Sequence, residues 1–122
     1  MNLAQYLSAL RQNEAFMRNV ANWREVPARE ARYADFPDSM DPALRGALET
    51  RGIHKLYSHQ REAFDQLSEG RSIVVVTPTA SGKTLCYNLP VLNAIKKDPS
   101  TRALYLFPTK ALSSDQVSEL YE

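Results

Sequence analysis

Cysteine occurs once in the 122 residues, at Cys86, and histidine only twice. One thiol makes neither an internal disulfide nor a structural zinc site, so a reducing, cytoplasmic setting is the expectation. Long apolar runs are missing too. The longest clean stretch, Ile73 to Val76, is strand-sized, far short of the roughly 18–20 residues that cross a bilayer, so no membrane partner is expected. The first twenty residues alternate charged and apolar types and lack the apolar core of a secretory signal. Neither sign of charge prevails, with 15 Lys+Arg against 14 Asp+Glu and a net charge of +1. Any nucleic-acid contact must therefore rest on a local surface. At 43% hydrophobic and 24% charged residues the composition is that of a soluble globular protein, which excludes a disordered charged tail. The length suits one small domain or less.

What is there reads from the amino terminus as follows. Leu3, Tyr6, Leu7, Leu10 and Met17 recur at helical spacing, and Asn2 with Gln5 forms a capping box, predicting an amphipathic helix over residues 2–22. Residues 23–40 carry Pro27 and Pro37 and keep no period. They read as a long irregular linker pinned by Trp23, Tyr33 and Phe36, either a surface strap or a functional loop. Asp41 as cap, Pro42 at the first helical position and Gly52 as stop mark a second helix. A third runs from Ser58 as cap to Gly70. Ser72 to Thr77 and Ala103 to Phe107 read as strands of a parallel sheet, separated by a helix from Gly82 to about Lys97 that Pro90 should bend. Ser113 with Gln116 offers a cap for a last helix. Strand, loop, helix, strand, helix is the seed of an α/β sheet, and two strands do not finish one. The chain is expected to be a piece of a longer protein.

The chemistry concentrates in Thr77-Pro78-Thr79-Ala80-Ser81-Gly82-Lys83-Thr84, at the strand-to-helix junction. A triphosphate needs backbone N–H groups curled around its oxygens at a helix start, an ammonium for the outer phosphates and a hydroxyl for Mg²⁺. Lys83 and Thr84 supply the last two. The strict phosphate-loop pattern has glycine where this chain has Thr77. Upstream, Leu56-Tyr57-Ser58-His59-Gln60 places a glutamine one helix and one strand before Lys83. A lone Gln is ordinarily a polar surface residue. Coupled to the loop, the Gln60 amide becomes a donor–acceptor pair for the N6 and N7 edge of adenine, with Tyr57 stacking on or flanking the base. Phe107-Pro108-Thr109-Lys110-Ala111-Leu112 with Gln116 is, by itself, an ordinary turn with a solvated lysine. It lies at a strand end, where α/β proteins bind ligands and amides can hold nucleic-acid phosphates. His54 and His59 are too isolated for a metal site, Trp23 reads as a packing anchor, and Cys86 as a small core residue.

The ordered set LYSHQ, TPTASGKT and LFPTKAL resembles the adenine-reading motif, motif I and motif Ia of superfamily 2 DEAD/DEAH-box helicases. With Trp23 to Arg29 it has the flavour of the MrfA-type bacterial DNA repair helicases. The resemblance covers about residues 52–117. It implies an α/β fold, an incomplete RecA-like (P-loop NTPase) parallel sheet with flanking helices. A helical extension over 1–52 precedes the start of the ATP-binding domain over 53–122. It implies ATP and Mg²⁺ as ligands: Tyr57 and Gln60 at adenine, Thr79, Ala80, Ser81, Gly82, Lys83 and Thr84 at the triphosphate, Thr84 on the metal. Lys83 and Thr84 are thereby the catalytic residues present. Pro108, Thr109, Lys110 and Gln116 become part of a nucleic-acid track, DNA more than RNA. Ala80 stands where DEAD-box members usually have glycine, and is read as subfamily identity. After Lys110 the only acidic residues are Asp115, Glu119 and Glu122. No Asp-Glu pair ends a strand, so the chain alone is expected to hydrolyse ATP very slowly or not at all. The alternative expectation is a non-catalytic nucleotide-binding or interaction module. A phosphate-loop kinase would leave Gln60 and the Pro108 turn without a role.

Overall fold

The structure, a computed structural model, describes residues 1–78 and 81–121. Two compact units divide the chain, Met1–Glu30 and Ala31–Glu122. The first holds α1 (Leu3–Gln12) and α2 (Glu14–Met17). The Asn2–Gln5 capping box forms as expected, each side chain bonding the other residue's backbone N–H at 3.0 Å. The helix expected to reach Asn22 is split, because the Asn13 side chain accepts from Phe16 N at 3.0 Å and restarts the chain as a new cap. Asparagine competes for backbone donors in this way, and capping offsets the lost turn. Trp23 lies under the Arg11 guanidinium, 5.6 Å from the ring centroid, and Arg11 also pairs with Glu25 at 2.8 Å.

The second unit holds β1 (Tyr33–Ala34), α3 (Pro42–Thr50), β2 (Leu56–Tyr57), α4 (Ser58–Ser68), α5 (Lys83–Lys97) and α6 (Lys110–Tyr121). Asp41 caps α3 by accepting from Ala43 N at 2.8 Å, with Pro42 at the first helical position as expected. Helix α5 continues through Pro90. Helix α6 starts earlier than the Ser113 cap implied, since the Thr109 hydroxyl accepts from Leu112 N at 3.3 Å and Thr109 O from Ser113 N at 3.2 Å.

The core is built where α4 packs on α5 and α3 closes over them. Phe36, Met40, Leu48, Leu56, Phe64 and Leu89 form one buried cluster, flanked by Leu44, Ile53 and Leu85. Leu56 and Phe64 are completely buried, each contributing roughly 1.5–3 kcal/mol relative to exposure. Phe36 and Met40 come from the stretch expected to be an irregular linker. Part of it pairs instead: Tyr33 and Ala34 lie antiparallel to Tyr57 and Leu56, and Ser58 N donates to Arg32 O at 2.8 Å. This ribbon is the only strand pairing among the described residues.

The segments expected as parallel strands, Ser72 to Thr77 and Ala103 to Phe107, carry no ladder in the described structure. Their side chains still alternate. Ile73, Val75, Tyr105 and Phe107 are half-buried, whereas Val74, Val76, Leu104 and Leu106 are more than four-fifths exposed. The period of two is that of a strand, but a ladder needs a paired neighbour, and among the described residues neither segment pairs with a strand.

Asn93 is a buried polar latch between α5 and the turn before α3. Its Oδ1 accepts from Asp41 N at 2.8 Å and its Nδ2 donates to Ser39 O at 3.4 Å. Asn93→Ala strands a buried N–H and is expected to cost about 1–3 kcal/mol, read as a lowered urea midpoint with an unchanged slope.

Candidate functional site

The site begins with the positive φ of Gly82 (71°), the residue that caps α5. A Cβ there would fall 2.6 Å from Gln60 Nε2, so glycine is required by both backbone and space. The Gln60 side chain, 3% exposed, accepts from Tyr57 N through Oε1 at 2.9 Å and donates through Nε2 to Gly82 O at 2.9 Å. One amide thus ties the start of α4 to the start of α5. His59, one residue earlier, donates from Nε2 to Ser81 O at 2.9 Å. The sequence therefore brings Gln60 and the Ser81–Lys83 turn together as the motif spacing anticipated.

Lys83 Nζ is folded back into the loop. It donates to Pro78 O (2.8 Å), Thr77 O (3.0 Å), Thr77 Oγ1 (3.1 Å) and Ser81 Oγ (3.3 Å). Thr77 and Ser81 also share a hydroxyl contact of 2.5 Å. Four oxygens already share the three N–H donors of one ammonium, so an anion could reach it only by displacing some of them. Thr77, which departs from the strict glycine pattern, supplies half of those oxygens. Thr84 follows half-buried in the first turn of α5. Its hydroxyl is a hard oxygen of the kind that Mg²⁺ accepts alongside phosphate oxygens and water. Thr79 and Ala80 lie outside the described residues.

Tyr57 sits in a three-ring stack. Its centroid lies 5.3 Å from that of Tyr33 at 18° and 5.7 Å from that of His59 at 9°. A cleft of about 440 Å³ opens beside it, walled by Tyr33, Ile53, Lys55, Tyr57, Gln60 and Leu85. A planar heterocycle entering there meets the Gln60 amide, which keeps one N–H and one lone pair beyond its two internal bonds. Sequence reasoning missed Tyr33, His59 and Thr77. Only adjacency to Gln60 and to the loop marked the last two.

The third candidate group stands apart from this cluster in its contacts. Pro108, Thr109 and Lys110 are exposed at the start of α6, with the Thr109 hydroxyl engaged in capping. Gln116 lies on the inner side of α6 and accepts from Tyr87 OH of α5 at 2.7 Å. Cys86 is 2% exposed on α5, as expected of a core thiol. Burial pushes its thiol above the ordinary value, against the opposing pull of a backbone hydrogen bond and of Lys83.

Comparison with known proteins places these residues in context. A family model described as DEAD/DEAH box helicase matches residues 57–122. The chain is 55% identical over 121 residues to the uncharacterized ATP-dependent helicase YprA of Bacillus subtilis, covering 99% of this chain and 16% of that protein. It is 32% identical over 114 residues to the ATP-dependent helicase HRQ1 of Saccharomyces cerevisiae, covering 93% of this chain and 10% of that protein. The crystal structure of the helicase MrfA bound to DNA and AMPPNP superposes with a TM-score of 0.87 at 55% identity, over 99% of this chain and 16% of that one. The chain thus spans about a sixth or less of the length of these relatives.

Two predictions follow from the site's geometry. Gly82→Ala should lower the urea midpoint of the second unit, since strain of about 1–2 kcal/mol at φ 71° adds to displacement of Gln60. Cys86 should react with a thiol reagent at pH 8 far more slowly in the folded chain than in urea, because it is buried in the core and burial also raises its thiol value. By the same linkage its contribution to stability is present below the unfolded thiol value of 9.0 and is lost as pH rises beyond it.

Proposed function

The chain belongs to the DEAD/DEAH box helicase family, and we propose that it forms the start of the first RecA-like, ATP-binding domain of a DNA helicase. In this reading residues 53–122 open that domain and residues 1–52 are an extension preceding it. Ser72 to Thr77 and Ala103 to Phe107 are its first two parallel strands. The full-length protein couples ATP hydrolysis to DNA unwinding or translocation, in the reducing cytoplasm and in the service of DNA repair. The observation that carries the reading is the tie from Gln60 Nε2 to Gly82 O at 2.9 Å, which supports a Gln60 amide acting together with the Ser81–Lys83 loop.

The roles follow from the chemistry of each group. ATP is the substrate. Its adenine enters the cleft beside Tyr57 and is read by the remaining donor and acceptor of Gln60. Ser81, Gly82 and the first turn of α5 offer backbone N–H groups to the phosphates, with Thr79 and Ala80 assigned to the same cradle from the sequence alone. Lys83 exchanges its neutral loop oxygens for β- and γ-phosphate oxygens, so binding substitutes anionic partners for carbonyl and hydroxyl ones at a charge already in place. The Thr84 hydroxyl would hold Mg²⁺, whose chemistry there would be neutralisation of charge on the transferred phosphoryl group. Pro108, Thr109 and Lys110 present exposed groups for one DNA strand's phosphates, and Gln116 braces α6 behind them. DNA rather than RNA is favoured because the MrfA structure is described as bound to DNA.

Lys83→Ala in the full-length protein is expected to lower ATP-dependent unwinding of a fluorescent duplex by two orders of magnitude or more, in keeping with the loss of a phosphoryl-clamping cation. Unwinding at the parent rate would overturn the assignment.

A further inference from the structure

We propose that His59 is a positioning residue of the phosphate loop, an N–H donor that fixes the Ser81 carbonyl and thereby sets how tightly the loop holds a nucleotide's phosphates. The inference rests on the loop being the nucleotide site proposed above.

Three observations carry it. First, the contact is directional. A carbonyl oxygen only accepts, so the 2.9 Å approach of His59 Nε2 to Ser81 O places a proton on Nε2. Second, the ring is held from the other side. It lies nearly parallel to Tyr57 at 9° and 5.7 Å, and Tyr57 in turn stacks on Tyr33 of β1. The imidazole is thus oriented by the β1–β2 ribbon before it reaches the loop. Third, its neighbour does the same one peptide later: Gln60 Nε2 donates to Gly82 O at 2.9 Å. Consecutive side chains of α4 hold consecutive carbonyls of the loop.

The consequence is stereochemical. In a trans peptide the C=O and the following N–H point in opposite directions. Holding Ser81 O toward α4 turns Gly82 N–H away from it, and holding Gly82 O toward α4 does the same for Lys83 N–H. These are donors of the kind that cradle phosphate oxygens at a helix start. Without His59 the Ser81–Gly82 peptide is free to rotate, and one donor must be ordered at the moment of binding. The effect belongs to the phosphate end. It leaves base reading to Gln60.

Two substitutions separate the ring from its donor. His59→Phe keeps a flat ring on Tyr57 and removes the N–H; His59→Gln removes the ring and carries an amide N–H to a similar reach. Binding of ATP and GTP with Mg²⁺ is measured on the full-length parent, on both variants and on Gln60→Ala, with a thermal melt of each. The expected result is a roughly three- to tenfold rise in the ATP dissociation constant for His59→Phe, the worth of one hydrogen bond. His59→Gln stays close to the parent. The ATP-over-GTP preference is unchanged in both and reduced only in Gln60→Ala. Parent-like binding by His59→Phe overturns the proposal, and so does an equal loss in both variants, which would assign the residue's effect to ring packing. A parent that binds neither nucleotide overturns the underlying nucleotide reading instead, a result distinct from either. Should His59→Phe not fold, His59→Leu supplies the donor-free arm.

Discussion

Everything around the phosphate loop depends on one buried amide. Gln60 is almost wholly removed from water, and a buried amide without partners costs several times what a satisfied one contributes. Both of its ends must therefore find protein groups. Oε1 takes the backbone N–H at the start of α4, and Nε2 takes the carbonyl at the start of α5. The two helices that form the main packing of the second unit are thus registered at their amino-terminal ends by a polar contact, while Phe64 and Leu89 register them further along by burial. The constraint is reciprocal. Gln60 fits only because Gly82 has no side chain, and Gly82 keeps its left-handed turn only where nothing beyond hydrogen faces the amide. Substituting either residue disturbs the other, so the spacing from Gln60 to the loop is a packing requirement as well as a recognition one.

Much of this was legible in the sequence, and the division between what was and was not is physical. Caps are local chemistry: Asn2 with Gln5 and Asp41 with Pro42 announce themselves because donor and acceptor lie within a few residues. The loop was legible for the same reason, since Gly82-Lys83-Thr84 at a helix start already states its geometry. The pairing of Tyr33 with Tyr57 was not, because nothing in a proline-broken stretch names a partner far along the chain. Asn13 was passed over because the apolar period continues through it, yet a capping side chain outcompetes a weak amphipathic stripe in a helix that buries no residue. Thr77 stands where the strict phosphate-loop pattern has glycine. Its carbonyl and hydroxyl instead hold the lysine.

The Lys83 cage explains why a threonine suits that position. An ammonium surrounded by neutral oxygens is stabilised without being neutralised, so its charge stays available to an anion. A carboxylate in the same place would hold the lysine more strongly and compete with phosphate. Threonine and serine hydroxyls orient the cation and can rotate away, which under the proposed function would let an incoming phosphate exchange ligands there.

The placement of those oxygens has its source upstream. Thr77 is the last residue of the segment whose side chains alternate as a strand's do, with Val74 and Val76 on the bare side and Ile73 and Val75 toward the helices. The position of this segment sets where both Thr77 oxygens stand. In the proposed parallel sheet, ladder bonds from neighbouring strands would fix the segment, and helices packed on the second face would cover Val74 and Val76 together with the equally bare Leu104 and Leu106. The oxygens around Lys83 would then be fixed by the sheet on one side, while His59 and Gln60 fix the carbonyls of Ser81 and Gly82 on the other. In that proposed arrangement sheet order and the loop's hold on phosphate would be coupled, because the same short loop would be anchored at both ends.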